Sequence, residues 1–255
     1  MPRVDRDGAS LYYEATSDGP EEVVAFVAEA GLGAWSWGWQ HRAVAGPHDA
    51  VVFDARGTGR STADPSDEWD TETFAADLDA VLADAGVRRA HLVGLGVGGM
   101  VALHHALTRG RAASVALFGT AARFGAVDRA ALTDFLDGAL ERGLSPQFVA
   151  DRPEVADQIR EWRGAEDAPE DVWRAQVAAV DDFDVRDRLH EVTVPSLVCH
   201  GTGDDVVPVE AGEALASGLP RGEAVAFDGG GHLVTVERSR PLNDALLAHL
   251  DSATE

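Results

Sequence analysis

Short apolar runs recur along the chain, separated by polar stretches punctuated with glycine. Runs at 10–16, 23–28, 50–54, 91–95, 114–118, 196–199 and 224–227 predict strands. Several, such as VVAFVA at 23–28, are continuously apolar, the pattern of a strand covered on both faces. Between them, apolar residues at helical spacing predict helices over 71–85, 97–108, 209–217 and 241–250. Asp70 or Thr71 is placed to cap the first of these and Gly86 to stop it. Strands alternating with helices predict an α/β protein with a mostly parallel sheet.

The alternation breaks between about 124 and 190. VDRAALTDFLDGALERGL and PEDVWRAQVAAVDDFD read as consecutive amphipathic helices inserted between two strands. That pattern predicts a helical cap over the carboxyl end of the sheet, where open α/β sheets bind ligands. The expected division is a core of 1–121 and 191–255 with a cap of 122–190. The cap aromatics Phe135, Phe148, Trp162 and Trp173 are expected to be core residues.

Composition narrows the class. In 255 residues, 45% hydrophobic and 25% charged, there is material for a sizeable core without staples. Cys199 is the single cysteine, which excludes an intrachain disulfide and a cysteine-rich zinc site; no metal and no cofactor are expected. Asp and Glu number 44 against 21 basic residues, all of them arginine, for a net charge of -23. Such a surface repels itself in dilute salt, whereas at 1 M salt the screening length falls to about 3 Å. The balance reads as adaptation to a salt-rich cytoplasm, with a merely acidic protein from a GC-rich genome as the alternative. It also argues against nucleic-acid binding, which needs clustered basic charge. MPRVDRDGAS lacks the apolar segment of a secretory signal, and no apolar run approaches the ~18 residues that span a bilayer. A cytoplasmic protein with a small-molecule substrate and no membrane partner is expected.

Two glycine-rich turns carry the candidate chemistry. VVFDARGTGRS at 51–61 runs from a strand into a turn that Asp54 and Arg56 can brace. HLVGLGVGG at 91–99 admits two readings. Gly94, Gly96 and Gly99 fit a dinucleotide fingerprint, but the next strand ends Leu117-Phe118-Gly119-Thr120, without the carboxylate that a ribose requires. The other reading is a nucleophile elbow, G-x-S-x-G, with Gly96 in the place of serine.

Downstream, HGTGDD at 200–205 is an acidic loop after a strand, and GGGHL at 229–233 presents a histidine on a glycine-rich turn. In this order, and over nearly its whole length, the chain resembles the α/β-hydrolase superfamily. The resemblance implies that Asp204 orients His232 and that His232 is the general base, with Asp205 a weaker candidate acid. It further implies an oxyanion hole from the backbone N–H groups of Leu32 and Val97, on a loop where Ala30-Gly31 replaces the usual His-Gly.

Gly96 cannot form an acyl-enzyme. Ser36, Ser61 and Thr120 lie on loops near the implied site, but none occupies an elbow. Glu29 is awkward beside an oxyanion unless it turns away, pairs with arginine or is protonated. The Trp35-Ser36-Trp37-Gly38-Trp39 run is expected to pack the first helix. Three functions fit these residues. The first is hydrolysis of a small, largely apolar ester, lactone or thioester by water that the His232–Asp204 dyad activates over Gly96. The second is proton abstraction by His232, as in lyase or cofactor-free oxygenase members of the superfamily, with Glu29 as partner acid. The third is a catalytically inactive ligand-binding protein.

Overall fold

The computed structural model describes residues 2–16 and 22–254. Eight strands form one sheet: β1 (Arg3–Arg6), β2 (Ala9–Ala15), β3 (Glu22–Val27), β4 (Ala50–Phe53), β5 (Arg89–Leu95), β6 (Ala112–Phe118), β7 (Ser196–Gly201) and β8 (Gly222–Phe227). Their order is β1-β2-β4-β3-β5-β6-β7-β8. The β1–β2 and β2–β4 pairs are antiparallel and all others parallel. Every predicted strand is present. The short β1 lies outside the predicted set because RVDR offers no apolar run; it pairs only at the sheet edge, where one face needs no cover.

The central strands β3, β5 and β6 are almost wholly buried, as their continuous Val, Ala, Leu and Phe content dictates. Helices α1 (Gly38–Val44), α2 (Thr71–Asp84) and α3 (Val97–Thr108) precede the cap, and α3 packs directly on β3, β5 and β6. Asp70 caps α2 by accepting from the Thr73 N–H at 2.7 Å, while the Thr73 hydroxyl oxygen accepts in return from the Asp70 N–H. The 51–61 turn is braced as its charges suggest: Asp54 accepts from the Arg60 N–H and guanidinium, and Arg56 forms a buried two-pronged pair with Asp77.

Between β6 and β7 lie α4 (Arg129–Leu136), α5 (Pro146–Asp151), α6 (Pro153–Glu166) and α7 (Glu170–Ala178), the cap. After β7 come α8 (Val209–Gly218), α9 (Val234–Glu237) and α10 (Ser239–Thr254). Cap and core share one apolar cluster that includes Phe135, Leu136, Ile159 and Trp173. Polar contacts fasten the cap to the loops after β3 and β4. Gln176 of α7 accepts from the Gly31 N–H at 2.6 Å and donates to the Arg56 carbonyl and Thr58 hydroxyl, both at 2.9 Å. The Ala168 N–H donates to the Gly31 carbonyl at 2.8 Å, and Asp167 accepts from the Gly33 N–H and the Trp35 indole. The tryptophan run therefore does more than pack α1: Trp37 lies against Phe26 and Phe118, and Trp35 stacks on Trp162 of the cap.

Candidate active site

The parallel register sets Val27, Leu95, Phe118, Gly201 and Phe227 along one end of the sheet, and the loops beyond them converge. Gly96 links β5 to α3 at φ 54° and ψ -119°, a backbone conformation that side chains rarely tolerate. Its N–H donates to the Phe118 carbonyl, and its carbonyl accepts from the Thr120 hydroxyl at 2.6 Å. Gly98 permits close packing below: a Cβ there would strike the carbonyls of Val27 and Ala28. This is a sharp strand-to-helix elbow with no side chain at its apex.

His232 enters from the loop after β8, and Asp204 from the loop after β7. The His232 Nδ1 lies 2.9 Å from Asp204 Oδ2, while Asp204 Oδ1 accepts from the N–H groups of Val206 and Val207 at 2.8 Å each. His200 adds to the acid's surroundings, its Nε2 lying 3.4 Å from Asp204 and 2.8 Å from the Val207 carbonyl. Asp205 is exposed, 3.9 Å from Arg142, and takes no part.

The other face of the imidazole meets Glu29. His232 Nε2 lies 3.0 Å from Glu29 Oε2. Glu29 Oε1 accepts from the N–H groups of Ala30 at 2.6 Å and Val97 at 3.0 Å. A Cβ built on Gly96 would fall inside Oε2. The carboxylate therefore fills the space that an elbow side chain would use, and the space where sequence reasoning placed a water. It also occupies the expected oxyanion hole. Leu32 is not one of that hole's donors: its N–H closes a tight turn onto the Glu29 main-chain carbonyl at 3.1 Å, and the Ala30 N–H converges with Val97 instead. Glu29 neither turns away nor pairs with arginine; its counter-charge is the imidazole.

The site is closed. His232 is 0% exposed and Glu29 2%. Phe135 of α4 meets the His232 ring edge-on at 5.7 Å, and Trp173 of α7 and Leu136 of α4 lie over Gly31. Burial alone would lower the His232 pKa, but Asp204 and Glu29 on either side outweigh it and raise the imidazole to about 10. Burial acts to raise Asp204, and the neighbouring His232 and His200 overcome it, holding that carboxyl well below its ordinary range.

The remaining candidates are engaged elsewhere. The hydroxyls of Ser36 and Ser61 donate to the carbonyls of Gly33 and Asp54, at 2.9 and 2.6 Å. Cys199 is buried in β7, where burial pushes its thiol up. His104 pairs with Glu72, and His105 lies 3.5 Å from Asp79. Among the described residues no group of three or more His, Cys, Asp or Glu is placed to hold a metal ion, and no helix is long and apolar enough to cross a membrane.

Residues 26–245 match the model of the alpha/beta hydrolase family. The chain belongs to the alpha/beta hydrolase family. A putative carbamate hydrolase RutD of Variovorax paradoxus is 30% identical over 257 residues, covering 94% of this chain and 96% of its own. Among solved structures, a thermophilic esterase from Thermogutta terrifontis superposes with a TM-score of 0.85 at 27% identity, covering 99% of both chains. A hydrolase from Pseudomonas aeruginosa superposes with a TM-score of 0.86 at 26% identity, covering 98% of this chain and 97% of its own. Within this family fold, the helices between β6 and β7 are the cap insertion.

Proposed function

We propose that this protein hydrolyses a small, largely apolar acyl substrate, an ester, lactone, thioester or carbamate, with His232 moving the protons and Asp204 orienting it. One observation carries the reading. Two backbone N–H groups converge on Glu29 Oε1 while His232 Nε2 meets Oε2 of the same carboxylate, so paired oxyanion-type donors and a proton carrier stand on one carboxyl group, the combination that acyl chemistry uses. The relatives support the substrate class, since one is named as a carbamate hydrolase and another as an esterase. The roof of Phe135, Leu136 and Trp173 supports the apolar character of the substrate.

The test is release of p-nitrophenol from p-nitrophenyl acetate and butyrate in molar KCl. Turnover is expected from the protein and its loss, by about 10²–10⁴-fold, from His232→Ala. Equal rates for the two proteins would remove the proposal.

The burial of His232 and Glu29 favours one other reading, in which Asp204, His232 and Glu29 form a sealed strut in a non-catalytic protein. On that reading, no ester is turned over, and His232→Ala changes stability alone.

A further inference from the structure

We infer that Glu29 is the nucleophile of this site, delivered from the loop after β3 into the space above Gly96, and that the substrate's acyl group is transferred to it. The inference rests on the hydrolase reading above and adds the residue that attacks and the kind of acyl donor it can attack. Its ground is the placement of the two carboxylate oxygens. Oε2 stands where an elbow side chain would point, in contact with His232 Nε2. Oε1 is pinned by the Ala30 and Val97 N–H groups. In a direct attack by water those donors should face an oxygen of the substrate, and they face an oxygen of the protein instead. They are therefore set to stabilise an oxyanion on the Glu29 carboxyl carbon, which exists only once that carboxyl has been acylated.

Oε2 attacks the substrate acyl carbon and the bond to the leaving group breaks. The leaving oxygen or sulfur takes the proton from His232 Nε2. The product of this step is a mixed anhydride between the acyl group and Glu29, with Oε1 as its carbonyl oxygen in the N–H pair. With the Glu29 charge gone, His232 is left neutral and takes a proton from water. The hydroxide adds to the Glu29 carboxyl carbon, and the charge develops on Oε1. Collapse expels the product carboxylate, which carries Oε2 away with it. Glu29 retains Oε1 and the oxygen of water, and its remaining proton is released to solvent.

The donor pair serves only the second half of this sequence, so the first attack has no help with charge on the substrate carbonyl. The acyl donor must bring its own reactivity: an aryl ester, a thioester or a strained lactone, with simple alkyl esters excluded.

A single turnover of p-nitrophenyl acetate by excess protein in ¹⁸O-water separates the routes. The expected result is unlabelled acetate and one ¹⁸O atom in the Glu29-containing peptide by mass spectrometry. Hydroxylamine should intercept the anhydride as a hydroxamate on the same peptide. Glu29→Gln keeps a near-isosteric side chain and is expected to fold, as circular dichroism would check, but to lose about 10³-fold or more in kcat. Ethyl acetate should not be turned over. Label in the first acetate with none in Glu29, or full activity in a folded Glu29→Gln protein, would overturn the inference and leave the hydrolase reading standing. Failure to hydrolyse any activated ester would overturn both.

Discussion

Placing serine at position 96 tests the arrangement of the site without reference to any substrate. A Cβ at Gly96 falls inside Glu29 Oε2, so Gly96→Ser must eject a carboxylate held by two N–H groups and His232. Removing one partner from a buried charged network costs about 3–5 kcal/mol, because the other is left uncompensated. The backbone at φ 54° adds about 1–3 kcal/mol of strain for any residue with a side chain. Gly96→Ser should therefore lose about 4–8 kcal/mol, and Glu29→Ala alone about 3–5 kcal/mol. In the double variant the ejection has already been made, so its loss should resemble that of Gly96→Ser rather than the sum. A coupling of about 3 kcal/mol or more is expected, at the upper end for contacting residues. Urea unfolding followed by circular dichroism in molar KCl, with the slope checked for constancy across variants, measures each corner of the cycle. Losses additive to within about 0.5 kcal/mol would show that Glu29 does not occupy the space above Gly96, and the site geometry would fall with it.

Two further outcomes follow from charge. His232, raised from 6.5 to about 10, contributes stability that is complete below pH 6.5 and is lost as pH climbs toward 10. Asp204, depressed below its ordinary 3.8, contributes stability that is complete above that pH and is lost on stronger acidification. His91, His105 and His249, lowered by burial to about 4, act oppositely to His232 and destabilise the fold as pH falls from 6.5 toward 4. Thermal midpoints should peak near pH 6.5, and His232→Gln should flatten the alkaline limb; an unchanged limb would refute the assignment. The charge of -23 predicts a midpoint that rises steeply from dilute buffer to molar KCl and then levels, since screening is nearly complete by then. A midpoint independent of KCl would discard the salt adaptation.

Apolar continuity made β3, β5 and β6 legible, because a strand covered on both faces can hardly be written otherwise. The short helices α1 and α9 were not, since a few residues carry too little periodicity and depend on neighbours for burial. At the site, the order of elbow, acid and histidine could be read from glycine spacing. The position of Glu29 could not. Whether a carboxylate in a turn faces solvent or the interior depends on which N–H groups that turn leaves free, and here Leu32 closes the turn while Ala30 points inward. The nearest signal was the coincidence of a glycine at 96 with an acid at 29, two departures that make sense only together.

In an elbow built around its own nucleophile, a single residue must both react and endure a contorted backbone. Here those duties fall to different stretches of chain. Gly96 takes the positive φ, while Glu29 is not among the described residues with positive φ. Position 96 is thus free to serve folding alone. Position 29 sits in a loop whose shape is set by what Gln176 and Ala168 of the cap grip. Exchanging the cap for another would therefore change more than the roof over the site, because it would re-aim the carboxylate at its centre.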